Sequence, residues 1–207
     1  MINLARLAAA PVETTPFPYF TVPDLIDPET VAEVVKDFPE IDQPGLFPLS
    51  DLTYGPAFRR LVSDLRRREF AVLMERKLGV DLTDKPLMIT VRGRCAQRDG
   101  RPHTDSEDKL ATGLLYLNAD GWDEEGGRLR LHNSGDVDDV ITEIPPLGGQ
   151  LVAFRRTDKS WHGHHPFEGQ RRYVMFNWLR SEAALAKNVG RHKLSAAIKR
   201  LDPFHAR

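Results

Sequence analysis

The sequence predicts a single α+β domain, and three observations predict it. Helix caps and helical apolar spacing recur between Asp27 and Leu78. From residue 86 onward the pattern changes to short alternating or apolar runs separated by turn signals, with Gly126-Gly127 and Gly148-Gly149 as clear punctuation. Helices first and strands second, in a chain of 207 residues, describe one core in which helices support a sheet.

The elements follow in order. MINLARLAAAPVE is apolar in flavour, but Arg6 interrupts it short of a secretory core. It reads as cytosolic chain, an edge strand or a loose arm. Residues 11–24, rich in proline and aromatics, read as an extended entry segment. Asp27 is an N-cap with Pro28 at the first helical position, and Val31, Val34, Val35 and Phe38 recur at helical spacing until Pro39. A loop covers 42–56. Residues 57–78 carry two apolar helical faces separated by Arg66–Arg68, which predicts two helices; the three arginines read as a solvated face rather than an anion patch. Strands are predicted near 87–94, 111–118, 128–132, 140–144, 150–155, 159–164 and 172–180, and the tail from Ser181 has helical composition. The organisation is therefore one domain, 1–207: an N-terminal segment with supporting helices (1–85), a strand-rich core (86–180) and a helical tail (181–207).

Bulk properties narrow the function. Thirty acidic residues face 29 Lys and Arg, a net charge of −1, so no basic surplus points to nucleic acid. The single Cys95 excludes an internal disulfide framework and fits a cytoplasmic location. It reads as a small buried residue rather than a ligand. No run approaches the length of a membrane span.

The informative residues are HTD at 103–105 and WHG at 161–163. Side chains alternate along a strand, so His103 and Asp105 point the same way. Two histidines and one carboxylate can hold one face of a ferrous ion and leave the other face open. His162 and His164 share a face, and spacing alone does not choose between them. Gly163 leaves room beside His162, and Arg172 lies ten positions on; both favour His162. Arg172 shares a face with Phe176 and Trp178, which predicts an inward guanidinium that should meet an anion such as a dicarboxylate. Arg171 points the other way.

Other polar and aromatic residues receive ordinary readings. His132, His192 and His205 are taken as structural or exposed. Trp178 reads as core, Trp161 as packing beside the metal ligand, and Trp122 as folded onto the surface. Asp120, Asp123, Glu124 and Glu125 make a solvated acidic loop. Arg155 and Arg156 read as surface charges, one of which can line the pocket.

Taken with Lys109 and TGLLYLN (112–118), GGRLRL (126–131), PPLGGQLVAF (145–154), SWHG (160–163) and GQRRYVMFNW (169–178), the HTD triplet gives the second half of the chain a family order. The chain resembles the iron(II)- and 2-oxoglutarate-dependent dioxygenases of the prolyl 4-hydroxylase-like superfamily. The resemblance implies a double-stranded β-helix, a jelly roll of two sheets with helices packed on one side. It implies His103, Asp105 and His162 as iron ligands and Arg172 on the distal carboxylate of 2-oxoglutarate. Iron(II), 2-oxoglutarate, O2 and ascorbate are the implied cofactors and cosubstrates, and the implied reaction is hydroxylation of an unactivated C–H bond with release of succinate and CO2. Many relatives carry a tyrosine on the strand before HxD. Here that strand, LMITVRGRC (87–95), has none. Arg92 or Arg94, or Tyr116 from the next strand, is the expected replacement. Retention of Asp105 speaks against a halogenase. The substrate implied first is peptidyl proline, with a small molecule or free amino acid as the alternative. A cupin-like metalloenzyme and a non-catalytic jelly-roll binding protein are the readings of other classes.

Overall fold

The computed structural model describes residues 1–118 and 122–201, with side chains through Leu194. Asp120 and His205 lie outside the described residues.

Nine strands form two antiparallel sheets. The larger has the order β1-β7-β4-β9-β3-β2, from β1 (Tyr19–Val22), β2 (Phe47–Pro48), β3 (Leu87–Cys95), β4 (Lys109–Tyr116), β7 (Leu151–Arg155) and β9 (Gly169–Leu179). The smaller has the order β6-β5-β8, from β5 (Leu129–His132), β6 (Val140–Ile144) and β8 (Trp161–Gly163). This is the α+β architecture expected from the sequence, two sheets with helices on one side.

All the α-helices but the last cover the outer face of the larger sheet. The first, α1 (Leu4–Ala9), replaces the expected edge strand or arm. Asn3 caps it by accepting from the Arg6 amide at 3.0 Å, and Leu7 is fully buried. The next helix, α2 (Pro28–Lys36), starts at the Asp27 cap, whose carboxylate accepts from the Thr30 amide at 2.8 Å. Two further helices, α3 (Pro56–Leu65) and α4 (Arg68–Leu78), divide at Arg66-Arg67, as the two apolar faces indicated. The last, α5 (Glu182–Leu201), follows β9.

Two cores result. Val174, Phe176 and Trp178 of β9 pack against the helices with Phe58, Leu61, Phe70 and Met74. Tyr173 and Met175 of the same strand pack between the sheets with Tyr116, Leu129, Leu131 and Phe154. A strand buried on both faces carries no polar face by which to recognise its inner side. That fact decides the geometry of the site.

Candidate metal centre and cosubstrate cavity

The smaller sheet brings the two motifs together. His103 and His162 form an isolated antiparallel bridge, so the HTD segment extends the sheet beyond β8. One ligand atom each from His103, Asp105 and His162 lie within 4.8 Å of one another. His162 and Asp105 are buried, and His103 is exposed to the cavity mouth.

Local hydrogen bonds aim the ligands. The Nδ1 atoms of His103 and His162 each lie near the carbonyl two residues back, Arg101 at 2.9 Å and Ser160 at 3.0 Å. With the proton on Nδ1, both rings donate backward and present Nε2 to the shared centre. Burial pushes the His162 imidazole down to about 4, although Asp105 opposes the shift. The ring is therefore neutral near pH 7, as a metal ligand must be.

Asp105 has a full set of partners. Its carboxylate accepts from the Lys109 ammonium at 2.5 Å and from the Thr112 hydroxyl at 2.5 Å. Asn177 donates to Thr112 at 2.8 Å, and Arg156 donates to the Asp105 carbonyl at 3.1 Å. Burial alone would raise this carboxyl; Lys109, His162 and the hydrogen bonds outweigh it and hold it well below the usual carboxylate range. Two neutral imidazoles and one ionised carboxylate, converging from rigid strands, fit ferrous iron with one open face. Of the supporting residues, Lys109 carried a signal in the sequence, at i+4 from Asp105. Arg156 belongs to the pair read as surface charges. Thr112 and Asn177 become neighbours only through the β4–β9 register, in which they are direct partners.

Beside the triad lies a cavity of about 420 Å³. Arg171 lines it and Arg172 does not, which corrects the expectation from sequence. Side chains alternate along β9 as expected, and its inward face is that of Arg171, Tyr173 and Met175. Phe176 and Trp178 face the helices, and Arg172 goes with them. Its guanidinium lies 5.6 Å from the Phe38 ring centre, and its amide donates to Asn118 at 2.7 Å. Arg171, with Tyr173 and Met175, faces the second sheet. It is 1% exposed and has no carboxylate partner among the described residues. Its Nε donates to the Gly127 carbonyl at 2.7 Å and its Nη2 to the Tyr116 hydroxyl at 3.2 Å. Its guanidinium also lies over the rings of Tyr116 and Tyr173, at 5.3 and 5.0 Å.

Tyr116 is fully buried and touches Arg171 rather than lining the cavity. Burial pushes its phenol up to about 12 against the opposing charge of Arg171, so it stays protonated. Of the two arginines on β3, Arg92 lines the cavity and Arg94 is exposed on the outside. Arg92 is ion-paired with Asp99 and lies 5.9 Å from the Tyr173 ring centre. His164 is buried in the same lining. His192, read from sequence as structural or exposed, also contributes to the lining, next to Arg191. Trp122 folds back as expected, donating to the Gly126 carbonyl at 3.0 Å and packing on Phe167.

A two-sheet antiparallel barrel with a His-Asp-His cluster at the mouth of its cavity has the arrangement of jelly-roll metal sites with one open face. Residues 93–180 match the 2OG-Fe(II) oxygenase superfamily, and that match supports a dioxygenase using iron(II) and 2-oxoglutarate. Among solved structures it is similar to a prolyl-4-hydroxylase from Pseudomonas putida, with TM-score 0.56 and 17% identity over 78% of this chain and 92% of that one. A prolyl 4-hydroxylase from Phytophthora capsici gives TM-score 0.54 and 17% identity, covering 79% of this chain and 59% of the other. A Trichoplax adhaerens prolyl hydroxylase, in complex with a hypoxia inducible factor peptide fragment, gives 0.51 and 16%, covering 81% and 86%. At these identities the likeness is one of fold. No match is found among curated proteins. No helix of the described residues is long and apolar enough to cross a membrane.

Proposed function

We propose that His103, Asp105 and His162 hold iron(II), that Arg171 binds the distal carboxylate of 2-oxoglutarate, and that the enzyme hydroxylates an unactivated C–H bond. The observation that carries this reading is Arg171. A buried guanidinium with no acid beside it, lining the same cavity as a two-His-one-carboxylate cluster, supplies the charge a dicarboxylate needs. Iron(II), when bound, would couple oxidative decarboxylation of 2-oxoglutarate, which takes one oxygen atom of O2 into succinate, to insertion of the other into the substrate's C–H bond. The chain's own residues do the rest. Tyr116 and the Gly127 carbonyl orient the guanidinium, Lys109 and Thr112 fix Asp105, and Leu114, Leu129 and Met175 give the cavity an apolar wall.

Two substrate classes are in play. Peptidyl proline is supported by solved prolyl hydroxylases of the same fold. A small molecule is supported by this chain's own α5, whose Arg191 and His192 form part of the cavity wall and narrow its approach. We place the small molecule first. The test is succinate release with purified enzyme, iron(II) and 2-oxoglutarate, in the presence of proline-containing peptides, free amino acids or a metabolite extract. Mass spectrometry reads the gain of one oxygen. Absence of 2-oxoglutarate turnover under every condition would defeat the reading.

A further inference from the structure

The charged groups around the cavity do not balance. Among the described residues, Arg92, Lys109, Arg171 and Arg191 line it with a single carboxylate, Asp105. Behind the wall Asp99 answers Arg92, and Asp105 answers Lys109. Two guanidiniums, Arg171 and Arg191, remain. Iron(II) would bring two positive charges and 2-oxoglutarate two negative ones, so the cosubstrates offset each other. With Arg171 engaged by 2-oxoglutarate, its charge and that of Arg191 still face whatever enters next. Arg191 is exposed at the cavity wall, so a neutral substrate settling there would cover its charge without supplying a counter-charge, which is costly.

Arg191 is placed to meet the substrate rather than the cosubstrate. It stands on α5, outside the two sheets, whereas Arg171 stands on β9 within them. Its Nη2 donates to Asn188 at 3.3 Å, which holds the guanidinium on the helix without neutralising it. Asp108 lies close enough to feel the charge of Arg191, but its hydrogen bonds go to Lys187 at 2.8 Å and Asn188 at 3.2 Å. The helix itself is anchored. Ala184, Leu185 and Val189 pack on Met88 and Leu179, and Lys193 pairs with Asp51 at 3.3 Å. Leu46, from the loop before β2, lines the same cavity. An anionic head beside Arg191 and a carbon skeleton along Leu46, Leu114 and Met175 would suit these walls.

We propose that the substrate is a small organic anion whose carboxylate or phosphate pairs with Arg191 on α5. This rests on the reading of the site as a 2-oxoglutarate oxygenase, and names the substrate class for it. Arg191 is then a residue that selects substrate by charge, and α5 is the element that brings it to the site.

The probes are fractions of a small-metabolite extract, separated on an anion exchanger into retained and unretained pools, beside a panel of uncharged proline-containing peptides. All are assayed with iron(II) and saturating 2-oxoglutarate, so that 2-oxoglutarate carried in an extract adds nothing. The expected result is succinate release and a gain of one oxygen with the retained pool alone. Alkaline phosphatase treatment of that pool separates the two head groups: loss of activity identifies a phosphate, persistence a carboxylate. With the active component, Arg191→Gln raises KM at least tenfold and Arg191→Lys recovers part of the loss, while Arg94→Gln on the outer face leaves KM unchanged. A second readout avoids turnover. In the manganese(II)-loaded protein with 2-oxoglutarate and without O2, the retained pool raises the melting temperature of the wild type, and Arg191→Gln reduces the shift. Activity in the unretained pool or the peptide panel, no response to any pool, or a KM indifferent to Arg191→Gln would overturn the proposal. Slow 2-oxoglutarate consumption without any pool reports on the oxygenase reading by itself, so the two fail separately.

Discussion

His103 and His162 exchange both of their backbone hydrogen bonds, His103 donating at 3.0 Å and His162 at 2.9 Å. The two imidazoles therefore inherit their spacing from a strand ladder, with ring centres 4.3 Å apart. Such a pair is held without any metal, because the ladder exists whether or not the rings have work to do. Replacing either ring should thus leave the fold in place.

His103→Ala, Asp105→Ala and His162→Ala are each expected to abolish iron-dependent succinate formation. The histidine variants should melt within about 4 °C of the wild type, a shift of roughly 1 kcal/mol in a domain of this size. Asp105→Ala should melt lower, since it strands the buried Lys109 ammonium. Retained turnover in the His162 variant, with loss in His164→Ala, would move the third ligand to His164.

Arg171→Ala should raise the KM for 2-oxoglutarate about ten- to a hundredfold. A hydrogen bond to a charged group contributes about 1.5–3 kcal/mol, and every 1.4 kcal/mol is a factor of ten. Arg171→Lys should recover only part, because it loses the planar fork. Arg172→Ala should change the KM less than about twofold, since its guanidinium lies over Phe38 on the far side of the sheet. The reverse ranking in a 2-oxoglutarate titration would return the role to Arg172.

This pair also marks what the sequence made legible. Strand positions, the split between α3 and α4, the Asp27 cap and the convergence of HTD with WHG were all readable, because they rest on local periodicity and turn chemistry. The inward face of β9 was not. Both Phe176 and Met175 are buried, one beneath helices and one between sheets, so alternation gave two apolar faces and no rule for choosing. The partners of Asp105 were hidden for another reason. Thr112 and Asn177 meet by strand register, 65 residues apart in sequence. Arg191 and His192 were hidden too, since a helical tail does not announce what it packs on.

Lys109→Met should weaken iron binding about ten- to a hundredfold, the usual effect of losing a group that orients a metal ligand. It should also lower the stability of the metal-free protein, because breaking a buried ion pair on one side costs about 3–5 kcal/mol. Saturating manganese(II) should restore much of that loss by supplying Asp105 with a new counter-charge. Metal titration followed by melting separates the two effects, and a metal-insensitive deficit would show that Lys109 serves packing alone.

Gly163→Ala tests how tightly the motifs are pressed together. A Cβ at this position would sit 2.6 Å from the Gly100 carbonyl oxygen and 3.0 Å from the Pro102 backbone. Neither is a flexible side-chain end, so the segment leading into His103 must move. Iron affinity should fall more than stability does, because the displaced segment carries a ligand but little core. Equal iron affinity in the variant would show that this segment relaxes without dragging His103.

The last expectation concerns His132 on β5, which is fully buried and has no hydrogen-bond partner at either ring nitrogen among the described residues. Burial, reinforced by Arg130, pushes its imidazole below the ordinary 6.5, while Asp139, Asp136 and Asp138 pull the other way. The folded state thus binds its proton less readily than the unfolded chain does. Stability from this residue is complete above the unfolded value near 6.5 and is lost as pH falls below it toward the folded value. His162 and His164, also depressed by burial, give the wild type the same slope over the same range. His132→Leu should remove one share of it and leave theirs. Urea unfolding midpoints at pH 7.5 and 5.5 should therefore differ less in the variant than in the wild type. An identical pH dependence in the two proteins would mean that His132 takes up its proton in the folded state as easily as in the unfolded one.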